Sequence, residues 1–163
     1  TDAGNGEIGF VDIARPDSPK GQGVLAVGGS PTSLAILDPL VLVAVDTSES
    51  FSNPSGKLLV VDRRTRATVA AYDLLGQPDS IALAPDKKRA AIVIENQRDE
   101  DFNDGLLPQY PGGALLIVDL KGSPGSWTIT PADLSPVAAK AFEGSDLEPE
   151  FVDINTRNEA VVT

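Results

Sequence analysis

The sequence contains three sets of short, mutually similar segments that recur in the same order along the chain. The first set is "GEIGFVDI", "GKLLVVDR" and "GALLIVDL", which begin at Gly6, Gly56 and Gly113 and are therefore 50 and 57 residues apart. The second set is "GSPTSLAIL", "GQPDSIALA" and "LEPEFVDIN", and the third is "VLVAVDTSES", "AAIVIENQRD" and "NEAVVT". A repeat of about 50 residues builds one structural unit several times, so it restricts the fold strongly.

Each repeated segment has the composition of a β-strand. The segments are rich in Val, Ile and Leu and are bounded by Gly, Pro, Asn and Asp, which favour turns. Two successive units are each predicted to form four strands. The strands of the first unit are 31–37, 40–46, 56–62 and 67–74. The strands of the second unit are 80–84, 89–95, 113–120 and 127–134. No amphipathic helix separates the strands, so the pattern does not favour a parallel sheet with helical crossovers.

Four-stranded units of this length are typical of β-propeller blades. The sequence therefore predicts an all-β chain that is a β-propeller fragment, with two complete four-stranded blades plus half-blades at both ends. The predicted units are a half-blade at 6–27, blades at 31–75 and 76–135, and a half-blade at 148–163. Propellers close with about 4 to 8 blades, so we expect the remainder of the propeller as a second chain or a missing segment. A compact all-β domain of three units is the alternative.

The composition excludes several classes of site and partner. Among 163 residues, 13 are basic and 24 are acidic, which gives a net charge of −11 that repels nucleic acid and anionic membranes. The chain has no Cys and no His, which excludes disulfides, imidazole ligands and His-based triads within it. No apolar stretch reaches the roughly 18 residues of a membrane span. Divalent cations are the expected partners of such a charge.

The segment "ENQRDEDFNDG", residues 95–105, places five acidic residues directly after an apolar strand. Carboxylate and amide oxygens alternate within it, as they do in calcium loops, although the EF-hand spacing is not met. The predicted calcium ligands are Asp99, Asp101, Asn103, Asp104, Glu49 and Glu148. The alternative is a solvated acidic loop in which Arg98 pairs with Asp99 or Glu100.

Three further carboxylates lie at the ends of the repeated strands. Asp79 and Glu150 follow the repeated Pro at the start of a strand, and Glu95 ends the strand that follows Asp79. We expect these positions to lie on one face, where neighbouring carboxylates raise one another's pKa unless a cation neutralises them. The predicted catalytic residues are therefore Glu95, Asp79 and Glu150.

Other recurring polar residues have structural interpretations. Ser33 and Ser80 occupy equivalent sites, where we expect hydrogen bonds at the start of a strand and not a nucleophilic role, since no G-x-S-x-G motif occurs. Asp12, Asp62 and Asp119 end equivalent strands and are expected to cap the following turns through side-chain hydrogen bonds.

Several longer segments carry a resemblance to a known family. "GFVDIARPDSPKGQG", "TSESFSNPSGKLLVVD", "GQPDSIALAPD", "IENQRDEDFNDGLLPQYPGG" and "DLEPEFVDINTRNEAVVT" together resemble secreted bacterial propellers described as phytase-like proteins with esterase-like activity. Those proteins are related to alkaline-phosphatase-associated propellers and to surface proteins with C-terminal anchoring signals. The resemblance implies export to the periplasm or the exterior and hydrolysis of phosphate or other esters. The chain lacks the "DDPA" and "WVH" segments of calcium-dependent propeller phytases, and the resemblance supplies no catalytic set.

Two functions follow from these observations. In the first, an acidic site binds calcium and hydrolyses a phosphate or other ester, with Glu95, Asp79 and Glu150 as ligands or general base. In the second, the chain is a non-catalytic, calcium-stabilised module that serves as a binding or scaffold unit.

Overall fold

The computed structural model describes residues 1–163, which form twelve β-strands and little helix. The strands are β1 (Glu7–Asp12), β2 (Lys20–Ala26), β3 (Ser30–Leu37), β4 (Leu40–Asp46), β5 (Gly56–Asp62), β6 (Ala67–Leu74), β7 (Pro78–Leu83), β8 (Arg89–Ile94), β9 (Ala114–Asp119), β10 (Thr128–Pro131), β11 (Val152–Ile154) and β12 (Ala160–Val162). One α-helical turn, α1, covers Ser135–Ala138, and 3-10 turns cover Phe102–Gly105 and Pro124–Ser126. None of these helical segments is long and apolar enough to cross a bilayer.

The strands assemble into four antiparallel sheets. Two sheets have two strands, β1-β2 and β11-β12, and two have four strands in the orders β3-β4-β5-β6 and β7-β8-β9-β10. Within each sheet, paired strands are adjacent in the sequence, which short connections allow for antiparallel strands. The strands lie within a few residues of the positions that the repeats predict. Matching register shifts occur at Thr32 in β3 and at Asp79 in β7.

Alternating side chains of β4 contribute to two separate cores. Leu42 and Ala44 pack towards the second four-stranded sheet, whereas Val43 and Val45, on the opposite face, pack with residues of β1 and β2. All four side chains are completely buried. A strand with both faces covered becomes a continuous apolar run, which explains the sequence "VLVAV". Burying each Leu or Val stabilises the fold by about 1.5–3 kcal/mol.

The strand β8 has the same role in the next sheet. Ile92 and Ile94 join the core between the two four-stranded sheets, while Ala91 and Val93 pack with β11 and its neighbours. The four sheets therefore stack face to face in chain order, with one apolar core between each successive pair.

Serine side chains connect the first strands of successive sheets. The Ser33 hydroxyl accepts a hydrogen bond from the Ile81 amide at 3.3 Å, and the Ser80 hydroxyl accepts one from the Val152 amide at 3.3 Å. Both bonds join a sheet to the following one, so Ser33 and Ser80 have a structural role. The expected partner, the turn at the start of their own strand, is wrong, because each hydroxyl accepts its bond from the next sheet.

The predicted aspartate caps are also confirmed. Asp12, Asp62 and Asp119 each end a strand and accept a hydrogen bond from the amide two residues further on. Asp62 accepts a second bond from the Thr65 amide, which contributes most to holding the pKa of this carboxyl below its ordinary value. These aspartates therefore stabilise turns.

The all-β class agrees with the sequence expectation, but the predicted β-propeller fragment, with its two blades and two half-blades, is wrong. The four separate sheets close into neither a barrel nor a propeller. The outer strands β2 and β12 are largely exposed, so the first and last sheets do not share a core. The repeat encodes the order of strands within each unit, and that order does not specify closure of the sheets around an axis.

Replacement of Ser80 by Ala should lower the free energy of unfolding by about 1–3 kcal/mol, because the buried Val152 amide loses its acceptor. Urea unfolding followed by circular dichroism measures the change. The matched control is Ser52→Ala, at an exposed serine whose hydroxyl contacts only the Ser50 hydroxyl, where we expect a change below about 0.5 kcal/mol. Equal effects of the two substitutions would contradict a role for Ser80 in joining the sheets.

Candidate functional site

The three carboxylates predicted as catalytic lie at the junction of the last two sheets. Asp79 occupies the register shift at the start of β7, where it interrupts the pairing with β8. Glu95 directly follows β8, and its amide donates to the Gln77 carbonyl at 2.9 Å. Glu150 precedes β11, and its amide donates to the Thr163 carbonyl at 2.9 Å. Backbone pairing therefore positions all three residues.

The structure brings these carboxylates close enough for their charges to interact. Burial raises the pKa of Asp79, and the charge of Glu150 raises it further. Burial is also the largest cause of the raised pKa of Glu95, followed by the charges of Asp79, Glu150 and Glu148. No hydrogen bond or basic side chain lowers the pKa of either Asp79 or Glu95. We call Asp79, Glu95 and Glu150 the carboxylate cluster.

Arg98 does not pair with Asp99 or Glu100, so that sequence expectation is wrong. Its guanidinium contacts a carboxylate oxygen of Asp146 at 2.9 Å and one of Glu148 at 2.6 Å, and it also donates to the Asp146 carbonyl at 2.7 Å. The Asp146 side chain is only 1% exposed. Arg98 therefore ties the acidic loop to the segment before β11, 48 and 50 residues away in the sequence.

A glutamine completes this connection. The Gln109 amide donates to the Asp146 carboxylate at 2.9 Å, and the Gln109 side chain bonds both the amide and the carbonyl of Asp99. One Asp146 oxygen, Oδ1, is buried without a partner. The two halves of the long loop between β8 and β9 are thus held by one buried carboxylate.

The residues predicted as calcium ligands are dispersed. Asp99 accepts a hydrogen bond from the Asp101 amide at 3.0 Å, and Glu148 is occupied by Arg98. Glu49 lies in the loop between β4 and β5 and accepts a bond from the Asn53 side chain at 2.9 Å. No group of three or more acidic side chains has the arrangement of a metal site.

The remaining two predicted ligands have an unusual backbone. Asn103 and Asp104 are exposed and both adopt positive φ, at 52° and 56°, followed by Gly105 at 70°. Asparagine and aspartate tolerate this region better than most residues. The alternation of oxygen ligands in the sequence therefore forms a tight left-handed turn.

Asp146 is the residue of this region that the sequence interpretation missed. It lies in "EGSDLEPE", where it is one acid among several, and neither its burial nor its partner can be read from local pattern. Arg98 could have indicated it, because Arg98 is the only base in the acidic loop and an arginine there is expected to pair with a carboxylate.

Replacement of Arg98 by Met should lower the free energy of unfolding by about 3–5 kcal/mol, because Asp146 is left buried and charged without compensation. Chemical unfolding measures the loss. The matched control is Arg157→Met, which removes an exposed pair with Glu159, and there we expect less than about 1 kcal/mol. A loss at Arg98 no larger than at Arg157 would show that the buried pair does not hold the loop.

Replacement of Asp79 by Asn should raise the melting temperature near neutral pH and have less effect in acid. The folded-state pKa of Asp79 is raised above the ordinary value of 3.8, so the group favours folding below pH 3.8 and loses this contribution as the pH rises through the folded pKa. Asparagine carries no charge, so the gain should increase with pH. Thermal melts of the wild type and the Asp79→Asn variant, from acid to neutral pH, measure the gain in melting temperature.

The control for this substitution is Asp17→Asn, at an exposed position in the turn between β1 and β2. It removes the same charge from the chain but should not produce the same rise with pH. A gain at Asp79 that does not vary with pH would contradict the electrostatic interpretation.

No protein-family model matches the chain, and no curated protein matches its sequence. The chain is similar to a solved structure titled as a functionally unknown protein from Desulfotomaculum acetoxidans DSM 771, with 10% identity and a TM-score of 0.48. The match covers 100% of this chain and 57% of that protein's chain, so the present chain spans little more than half of its length. A likeness at this level carries no argument about function.

Proposed function

We propose that the chain hydrolyses phosphate or other esters with the carboxylate cluster. The observation that supports this most directly is the convergence of three acidic groups, two of them partly buried with raised pKa values, without a basic partner. Titratable groups perturbed in this way are concentrated at functional sites. The resemblance to phytase-like proteins with esterase-like activity points to the same chemistry, and export from the cytoplasm belongs to the same proposal.

Glu95 is the general base in this proposal. Burial raises its pKa most, and three neighbouring carboxylates raise it further, which brings its proton affinity closer to that needed for transfer near neutral pH. Glu95 takes a proton from water as the water oxygen bonds to the ester carbon or phosphorus. The bond to the leaving oxygen then breaks, and the proton passes to that oxygen. Asp79 and Glu150 maintain the raised pKa of Glu95 through their charge.

The second candidate function is a non-catalytic, calcium-stabilised binding or scaffold module. The same cluster favours it, because carboxylates that repel one another at neutral pH destabilise the fold until a cation neutralises them. The three carboxylates do not have the arrangement of a preformed metal site, so calcium, which prefers oxygen ligands, would have to draw them together on binding. The two candidates differ in whether any ester is turned over.

Replacement of Glu95 by Gln should lower the turnover of p-nitrophenyl acetate or p-nitrophenyl phosphate by about 10²–10⁴-fold, the usual contribution of a general base. Release of p-nitrophenol is followed with added calcium and again with a chelator. Asp17→Asn removes the same charge from an exposed position and should leave turnover unchanged. Thermal melts establish that both variants are folded.

The remaining outcomes separate the candidates. Equal turnover by wild type and Glu95→Gln would remove Glu95 from the reaction. Absence of turnover of both esters, combined with a melting temperature that rises with calcium, would favour the non-catalytic module and overturn the hydrolase.

A further inference from the structure

The loops of the two four-stranded sheets form a cavity of about 270 Å³. One wall comes from the loop between β4 and β5, with Phe51 and Ser52, and the other from the loop between β8 and β9. The second loop contributes the aromatic residues Phe102 and Tyr110 together with the amide side chain of Gln97. Pockets for drug-sized ligands measure about 300–1,000 Å³, so this cavity suits a smaller molecule or group.

Aromatic side chains are concentrated at this cavity. The whole chain has five Phe, two Tyr and one Trp, and three of these eight rings line this one cavity. Phe51, Phe102 and Tyr110 are exposed by 46%, 55% and 66%. Single exposed hydrophobic residues scattered over a surface are normal, whereas several exposed together mark an interaction site. The grouping of these three exposed rings is therefore typical of a binding site.

Hydrogen bonds within the protein hold two residues of the cavity wall, Asn96 and Gln109, in place without a ligand. The Asn96 side chain accepts a bond from the Gln77 amide and donates one to the Gly112 carbonyl. Gln109 is fixed between Asp99 and the buried Asp146 carboxylate. A wall held by such bonds loses little conformational entropy on binding, which favours affinity for a small ligand.

The electrostatic environment of the cavity is negative. Residues 95–111 carry five acids and one base, and that base, Arg98, is already paired with Asp146 and Glu148. No residue that lines the cavity is basic. Cations are therefore concentrated at this cavity by the field of the surrounding carboxylates.

We propose that this cavity binds a small quaternary ammonium compound such as choline. Aromatic faces attract such cations through their ring quadrupoles, and a cation without N–H groups requires no hydrogen-bond acceptor from the wall. Phe51, Phe102 and Tyr110 supply the aromatic rings, and the surrounding carboxylates supply the long-range attraction. This binding does not require the proposed hydrolysis, because none of the carboxylate cluster lines the cavity and Glu95 contributes only to its long-range field.

The test is a titration of the ¹⁵N-labelled protein with choline, followed by amide chemical shifts. We expect saturable shifts at Gln97, Phe102 and Tyr110. The neutral isostere 3,3-dimethylbutan-1-ol has the same shape without the charge, so it should bind at least about tenfold more weakly if ring quadrupoles and surrounding charge both contribute. Equal affinities would show an apolar cavity without cation recognition and would overturn the proposal, as would absence of saturable shifts.

Two variants localise the binding. Tyr110→Leu and Phe102→Leu keep apolar bulk but remove a ring, and each should weaken choline binding by about twofold to thirtyfold. The matched control is Phe142→Leu, at a ring that is 97% exposed and outside the cavity, which should not alter the affinity. Unchanged affinity in both cavity variants would overturn the assignment. Sedimentation with phosphatidylcholine vesicles should give no co-pelleting, and co-pelleting would transfer the site to a lipid headgroup.

Discussion

The alternating side chains of β4 and β8 hold the four sheets together, because each strand contributes to two cores at once. Val43 and Leu42 are neighbours in the chain, yet they pack against different sheets. Ile92 and Val93 repeat this division in the following sheet. A substitution that shifted either strand by one residue would exchange its two faces and disturb both cores together. The hydrogen bonds of Ser33 and Ser80 then fix how successive sheets meet.

The stacking of the sheets determines where charge accumulates. The starts of β7 and β11 and the end of β8 lie near one another, so Asp79, Glu95 and Glu150 converge although the sequence separates them by up to 71 residues. The fold tolerates the resulting repulsion at the junction of two sheets. Nearby, it compensates a more deeply buried carboxylate, Asp146, with Arg98. The same edge thus contains one carboxylate that is paired with a base, Asp146, and a cluster of carboxylates without a basic partner.

The strands, the aspartate caps and the grouping of the three carboxylates could be predicted from the sequence. Strand formation depends on neighbouring residues, because β-propensity and turn residues act over a few positions. The repeat also shows the same strand pattern at several places in the chain, which supports each prediction. The partner of Arg98 could not be predicted. It is about 50 residues distant, and the neighbouring acids Asp99 and Glu100 satisfy the same local pattern. The predicted propeller failed for a related reason, since closure depends on packing angles between sheets that no segment encodes.

The amino-acid sequence alone specifies twelve short strands, their order, the two-faced apolar runs and a strongly acidic surface. It does so because side-chain alternation, turn chemistry and charge are properties of neighbouring residues. The tertiary structure decides that the sheets stack without closing, that Asp146 is buried against Arg98, and that Phe51 meets Phe102 and Tyr110 around one cavity. These outcomes depend on contacts between residues far apart in the chain, whose geometry arises only once the cores have packed.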